Sequence, residues 1–226
     1  MSEVLVREEN KQMRILSAVG MILVVAGHLG YSLFDVGGLF PYYSFHVFIF
    51  LFVSGYFYRE EAEQHLLRYI GRKCKTLLLP YFIWNLIYGI LAALLHRAGF
   101  SIGGDLTLWN LFIEPFVSGH QFLYQFPAWF VPALFLIEIL NVLGRKVLSL
   151  LHLKKEWLIF IVCLLLGIAT VALARGGHVW GCYKFPGRLL FMMPGFQLGR
   201  IYKEKLEERV NKIRDGRYFS VVLGVQ

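Results

Sequence analysis

Charge is scarce in this chain: 17% of its 226 residues are Asp, Glu, Lys or Arg, against about 25% in an ordinary soluble domain. Acidic residues are the scarcer sign, 15 against 23 Lys and Arg, which leaves a formal charge of +8. Cysteine is nearly absent. Cys74, Cys163 and Cys182 match no metal-ligand spacing and no paired framework, so a disulfide-stapled module is excluded and three unlinked thiols remain. The chain also lacks a P-loop, a zinc set, a Rossmann glycine pattern and a nucleophile elbow. It has no internal repeat of the kind a transporter with paired broken helices shows. Apolar residues are what is plentiful, at 57%, with a mean hydropathy of +0.57. That composition excludes a disordered chain and a typical soluble enzyme, and it predicts an all-α, polytopic transmembrane helical bundle.

Crossing the hydrocarbon takes about 20 mostly apolar residues. The candidates are 13–30, 45–58, 76–96, 128–143, 157–174 and 189–202, with the uncharged 41–44 available to extend the second. A further stretch, 106–117, carries Glu114 and Pro115 and reads as re-entrant or interfacial. The start of the chain is no signal peptide, since Glu3, Glu8 and Glu9 precede its apolar part and further spans follow. Lys and Arg alternate between connections: three up to Arg14, none in 31–44, five in 58–75, one in 97–127, four in 144–156, three in 175–188 and seven in 200–217. The positive-inside rule therefore predicts a multi-pass protein of the cell membrane with a cytoplasmic N-terminus. It also explains the basic balance without nucleic acid, because no basic face with interleaved aromatics occurs in the hydrophilic segments. After 203–217 a new apolar run starts at Tyr218 and reaches Gln226, which reads as the beginning of another span.

Ionisable groups inside spans are the first places to look for chemistry. His28 lies at the outer end of the first span between Gly27 and Gly30, where another group has room to approach. Helical periodicity puts Arg14 and Ser17 close to its face, with Arg14 roughly 21 Å below it. His46, Ser54 and Tyr56 lie on the second span, whose bland reading is lipid-facing filler with a small-residue contact at Ser54-Gly55. Arg68, Arg72, Lys73 and Lys75 precede the third span, and they suit either phosphate oxygens or anionic lipid. Glu138, one turn before Asn141 on the fourth span, needs a partner or a proton, whether for catalysis or as a contact between helices.

Several pieces in order resemble the acyltransferase 3 family of multi-span membrane acyltransferases, from about Lys11 to Leu206. They are Val24-Val25-Ala26-Gly27-His28, then the run from Phe45 to Tyr56, then the basic stretch with Leu77-Leu78-Leu79-Pro80-Tyr81-Phe82-Ile83-Trp84. Trp129-Phe130-Val131-Pro132-Ala133-Leu134 and the run from Gly187 to Gly199 follow. The resemblance implies transfer of an acyl group, usually acetyl, from cytoplasmic acyl-CoA to a hydroxyl of a cell-envelope carbohydrate or similar acceptor. Acyl-CoA is then a co-substrate, and neither a resident cofactor nor a metal is implied.

In the family signature an arginine precedes a histidine by eleven positions. The histidine is His28, but Ser17 stands at the arginine position. Arg14, one turn earlier and about 40° round the helix, is the expected substitute. The family's basic pair falls on Arg72 and Lys73, where CoA phosphates are expected, with Arg68 beside them. His46, Ser54, Tyr56, Trp129, Glu138 and Arg188 are expected around the substrate or behind the reacting groups. With about six spans against the family's usual ten or so, residues 1–226 read as one acyltransferase-like domain incomplete at its C-terminal end. The competing expectation is an inactive domain of this type that serves only as anchor or binding module.

Overall fold

The computed structural model describes residues 10–29, 46–100, 106–117, 128–153, 155–176 and 181–213. Among them every regular element is helical. In chain order these are α1 (Lys11–His28), α2 (His46–Tyr56), α3 (Glu61–Gln64), α4 (Leu66–Lys73), α5 (Leu79–Arg97), α6 (Glu114–Val117), α7 (Phe130–Leu150), α8 (Glu156–Arg175), α9 (Gly181–Ile201) and α10 (Glu207–Ile213). Wide π turns at Cys74–Leu78 and Tyr202–Leu206 fuse α4 to α5 and α9 to α10, and a third, Trp109–Ile113, leads into α6.

Local chemistry accounts for several boundaries. Asn10 caps α1, its side-chain oxygen accepting from the Met13 N–H at 3.2 Å. The π turn before α5 follows from Pro80, which has no N–H to give and whose ring crowds the carbonyl four residues back. The chain adds a residue to the turn there, and the Leu79 N–H reaches the Cys74 carbonyl instead.

Helix α9 is the centre of the assembly, packed between α2 and α8 and crossed by α7, while α1 lies on α2. Close approach of α2 and α9 requires two glycines. A Cβ on Gly55 would overlap the Phe196 carbonyl oxygen, and one on Gly199 would overlap that of Phe52. This is the small-residue contact expected at Ser54-Gly55, and it buries the face of α2 that carries Leu51, Gly55 and Tyr56. Leu51, Ala133, Ile137, Val142, Phe185 and Phe196 fill the space between α2, α7 and α9.

The short segment 109–117 docks against α5. Asn85 Nδ2 donates to the Leu111 carbonyl at 2.6 Å, and the Phe82 ring meets those of Phe112 and Phe116 at 5.2 and 6.3 Å.

Among the described residues, two helices are long and apolar enough to cross a membrane, 66–97 and 156–175. Most of their apolar residues are not buried, so both direct Leu, Ile, Val and Trp side chains outward. The sequence predicts six such helices, and the other four are not confirmed among the described residues. In α7 the polarity comes from Glu138, Asn141, Arg145 and Lys146, in α9 from Pro186, Pro194, Arg188 and Arg200, and in α1 from Lys11, Gln12 and Arg14, while His46–Tyr56 is a shorter apolar helix preceded by residues outside the described ones. Three boundaries also move. The third helix begins at Leu66 rather than Thr76, α9 begins at Gly181 rather than Leu189, and α7 runs on to Leu150 through what the charge count treats as a loop.

Candidate functional site

Glu138 is where three helices converge. Its carboxylate on α7 is 1% exposed, and the Lys73 ammonium at the end of α4 lies 2.7 Å from Oε1 and 2.6 Å from Oε2. The Ser54 hydroxyl of α2 also donates to it. Buried Tyr69 completes the cluster, with the Lys73 and Arg72 cations each 5.5 Å from its ring centre. A buried carboxylate is tolerated only with a counter-charge and hydrogen bonds, and Lys73 and Ser54 provide both.

Seven residues further along α7, Arg145 anchors a second network. Its guanidinium is 1% exposed and forks onto Glu156 at the start of α8, with two bonds of 2.6 Å. It also donates to Gln197 of α9 at 2.6 Å and to Asn141 at 3.1 Å, and Gln197 donates to Asn141 at 2.5 Å. Arg200 joins from α9, meeting Glu156 at 3.1 Å and both Glu60 and Glu204 at 2.6 Å. The two guanidinium carbons lie 5.4 and 5.1 Å from the Tyr58 ring centre. Burial, and the Glu63 carboxylate beside it, push the Tyr58 phenol well above its ordinary range, so it stays protonated and donates to Glu63 at 3.0 Å. Glu60, Glu156 and Glu204 bring carboxylate oxygens within 4.8 Å of one another, close enough for a metal. The Arg200 guanidinium already supplies the positive charge between them.

These contacts define one end of the bundle. Asn10 Nδ2 at the head of α1 donates to the Tyr56 hydroxyl at the tail of α2 at 2.6 Å, and that hydroxyl donates to Glu207 Oε1 at the head of α10 at 2.5 Å. The α7–α8 junction with Arg145 and Glu156, and the tail of α9 with Arg200, lie at the same end.

The residues expected to carry chemistry divide between the ends. His28 is exposed on the last turn of α1, away from the Asn10–Tyr56 contact. Arg14 is exposed on the first turn, so the helical rise puts it roughly 21 Å from His28 and the two do not converge. His46 begins α2 and is half-buried. Arg188, early in α9, lies over the Trp129 ring at 4.9 Å. Arg68 and Arg72 are exposed on α4, whereas Lys73 beside them is turned inward onto Glu138. Tyr56 serves the joint between Asn10 and Glu207.

The sequence that builds this arrangement is recognisable at the level of family. Residues 10–219 match the acyltransferase 3 family's acyltransferase domain. The chain belongs to that family. Comparison with curated proteins and with solved structures gives no match. In this acyltransferase domain the residues that sequence reasoning passes over are Arg145, Glu156, Gln197, Arg200 and Tyr58. Counted as a loop cation, Arg145 in fact lies on one helical stripe with Glu138 and Asn141, at spacings of three and four. That polar stripe on an apolar helix was the available signal, as was the Gln197–Arg200 spacing on α9.

Proposed function

We propose that this member of the acyltransferase 3 family is a multi-pass membrane O-acyltransferase. It transfers an acyl group, most simply acetyl, from cytoplasmic acyl-CoA to a hydroxyl of an envelope carbohydrate or comparable acceptor. The observation that carries the reading is the family match over nearly the whole chain. The alternation of Lys and Arg between connections supports a cytoplasmic N-terminus. So does the gathering of Asn10, Tyr56, Arg145, Arg200 and Glu207 at one end of the bundle, which is then the cytoplasmic one. The exposed apolar faces of 66–97 and 156–175 suit contact with acyl chains of the bilayer.

In this reading the neutral His28 imidazole accepts the acceptor hydroxyl's proton as its oxygen attacks the thioester carbonyl. The new C–O bond forms, the C–S bond breaks, and CoA leaves as a thiolate that regains a proton. Exposed Arg68 and Arg72 lie at the end assigned to the cytoplasm and His28 at the other. The donor must therefore reach along the bundle, and a thioester on a long flexible arm meets that requirement. Arg14, near the cytoplasmic end, then acts on the anionic part of the donor rather than beside His28.

Membranes carrying the wild type or His28→Ala, given radiolabelled acetyl-CoA and an envelope extract, test the reading. An alkali-labile acetyl ester that depends on His28 is the expected product. Equal labelling with the two proteins removes His28 from the mechanism, and no ester with either removes the activity.

A further inference from the structure

The basic stretch 68–75 reads as a uniform patch in sequence, but the structure divides it. Lys73 is turned inward, its ammonium shared by the two oxygens of a carboxylate that is 1% exposed. Arg68 and Arg72, one helical turn apart on α4, remain exposed. Two like charges at that spacing repel each other unless an anion lies between them. Two planar guanidinium groups suit the oxygens of a diphosphate. Buried Tyr69 lies under both Arg72 and Lys73, so the inward pull on Lys73 also sets where Arg72 is presented.

We propose that Glu138 is a positioning residue: it holds Lys73 as a strut so that α4 presents Arg68 and Arg72, and not Lys73, to the phosphates of the acyl-CoA donor. This rests on the donor reading above. The pair works from within the bundle. Glu138 is fixed by Ser54 from α2 and lies on α7, so the salt bridge ties the amphipathic helix to the core elements. If Lys73 were itself the phosphate ligand, binding would have to strip the counter-charge from a buried carboxylate, at a large cost.

Equilibrium binding of CoA to the purified full chain tests this without turnover. Glu138→Gln and Lys73→Met are each expected to weaken CoA binding, by roughly tenfold, because the first removes the charge that anchors Lys73 and the second leaves the Glu138 carboxylate buried alone. The double variant Lys73→Met/Glu138→Met replaces the ion pair with apolar packing, and it is expected to return affinity to within about threefold of wild type. Double-variant binding as weak as that of Lys73→Met makes Lys73 a direct ligand and overturns the strut. Arg68→Ala/Arg72→Ala, at exposed positions that leave the fold intact, is expected to lose at least about tenfold. Binding unchanged in that variant also overturns the proposal, and it decides alone should Glu138→Gln fail to fold. Wild-type protein that binds no CoA overturns the donor reading instead.

Discussion

Arg145 and Glu156 face each other across the turn between α7 and α8 through two bonds of 2.6 Å, at side-chain exposures of 1% and 10%. Removing the guanidinium leaves a carboxylate with only Arg200 against it and strands the Gln197 oxygen, while the Asn141 oxygen keeps the Gln197 amide as its donor. Arg145→Met is therefore expected to destabilise the protein by about 3–5 kcal/mol, the usual cost of breaking a buried pair. Thermal unfolding in detergent measures it. A loss well under 1 kcal/mol shows that water reaches the network freely.

The crossing of α2 and α9 leaves no room at Gly55 or Gly199. Gly199→Leu must part the two backbones and is expected to abolish monodisperse protein on size-exclusion chromatography. Gly144→Ala on α7, where an added Cβ meets nothing within 4 Å, is the control. It is expected to be neutral or to stabilise by up to about 1 kcal/mol. Equal behaviour of the two variants contradicts the close crossing.

His28 is exposed and terminal in its helix, so His28→Ala leaves the fold intact. Loss of a general base is expected to lower acyl transfer about 10²- to 10⁴-fold with the melting temperature unchanged. Arg14→Ala is expected to act differently, raising KM for acyl-CoA while leaving kcat nearly as it was. An equal fall in kcat for both variants would bring the two residues into one step and contradict their separation along α1.

Tyr56 ties Asn10 to Glu207, and with them α1 to α10. Tyr56→Phe keeps the ring and removes both hydrogen bonds, at an expected cost of about 1–3 kcal/mol. Hydrogen exchange at the N-terminal amides of α1 reports it. Exchange there should quicken in the variant while that of α8 stays unchanged.

Hydropathy made the helical character and the approximate location of each long helix legible, because an apolar run of twenty residues has few other destinations. It missed the extension of α7 past Arg145, since a charge in sequence looks the same whether it faces water or a carboxylate eleven residues later. The basic stretch was legible as a cluster, yet nothing in it marked Lys73 as different from Arg72. That difference arises only when α7 brings Glu138 alongside. His28 was legible as an unusual residue at a helix end, and the structure places it there. Residues 30–45, which follow His28 and precede His46, lie outside the described residues, as do 1–9 and 214–226.

The wide turn at Cys74–Leu78 amounts to one residue more than an α-helix needs. Each residue of helix is worth about 100° of rotation, so taking the surplus up inside one wide turn keeps the cationic half of the segment in phase with its apolar half. Adding one alanine at the start of α5, with no second wide turn to absorb it, would swing Arg68 and Arg72 by more than a quarter of a circle with every charge still present. A lengthened chain that folds yet has lost its hold on anions would reveal phase, rather than charge, as the quantity this helix keeps fixed.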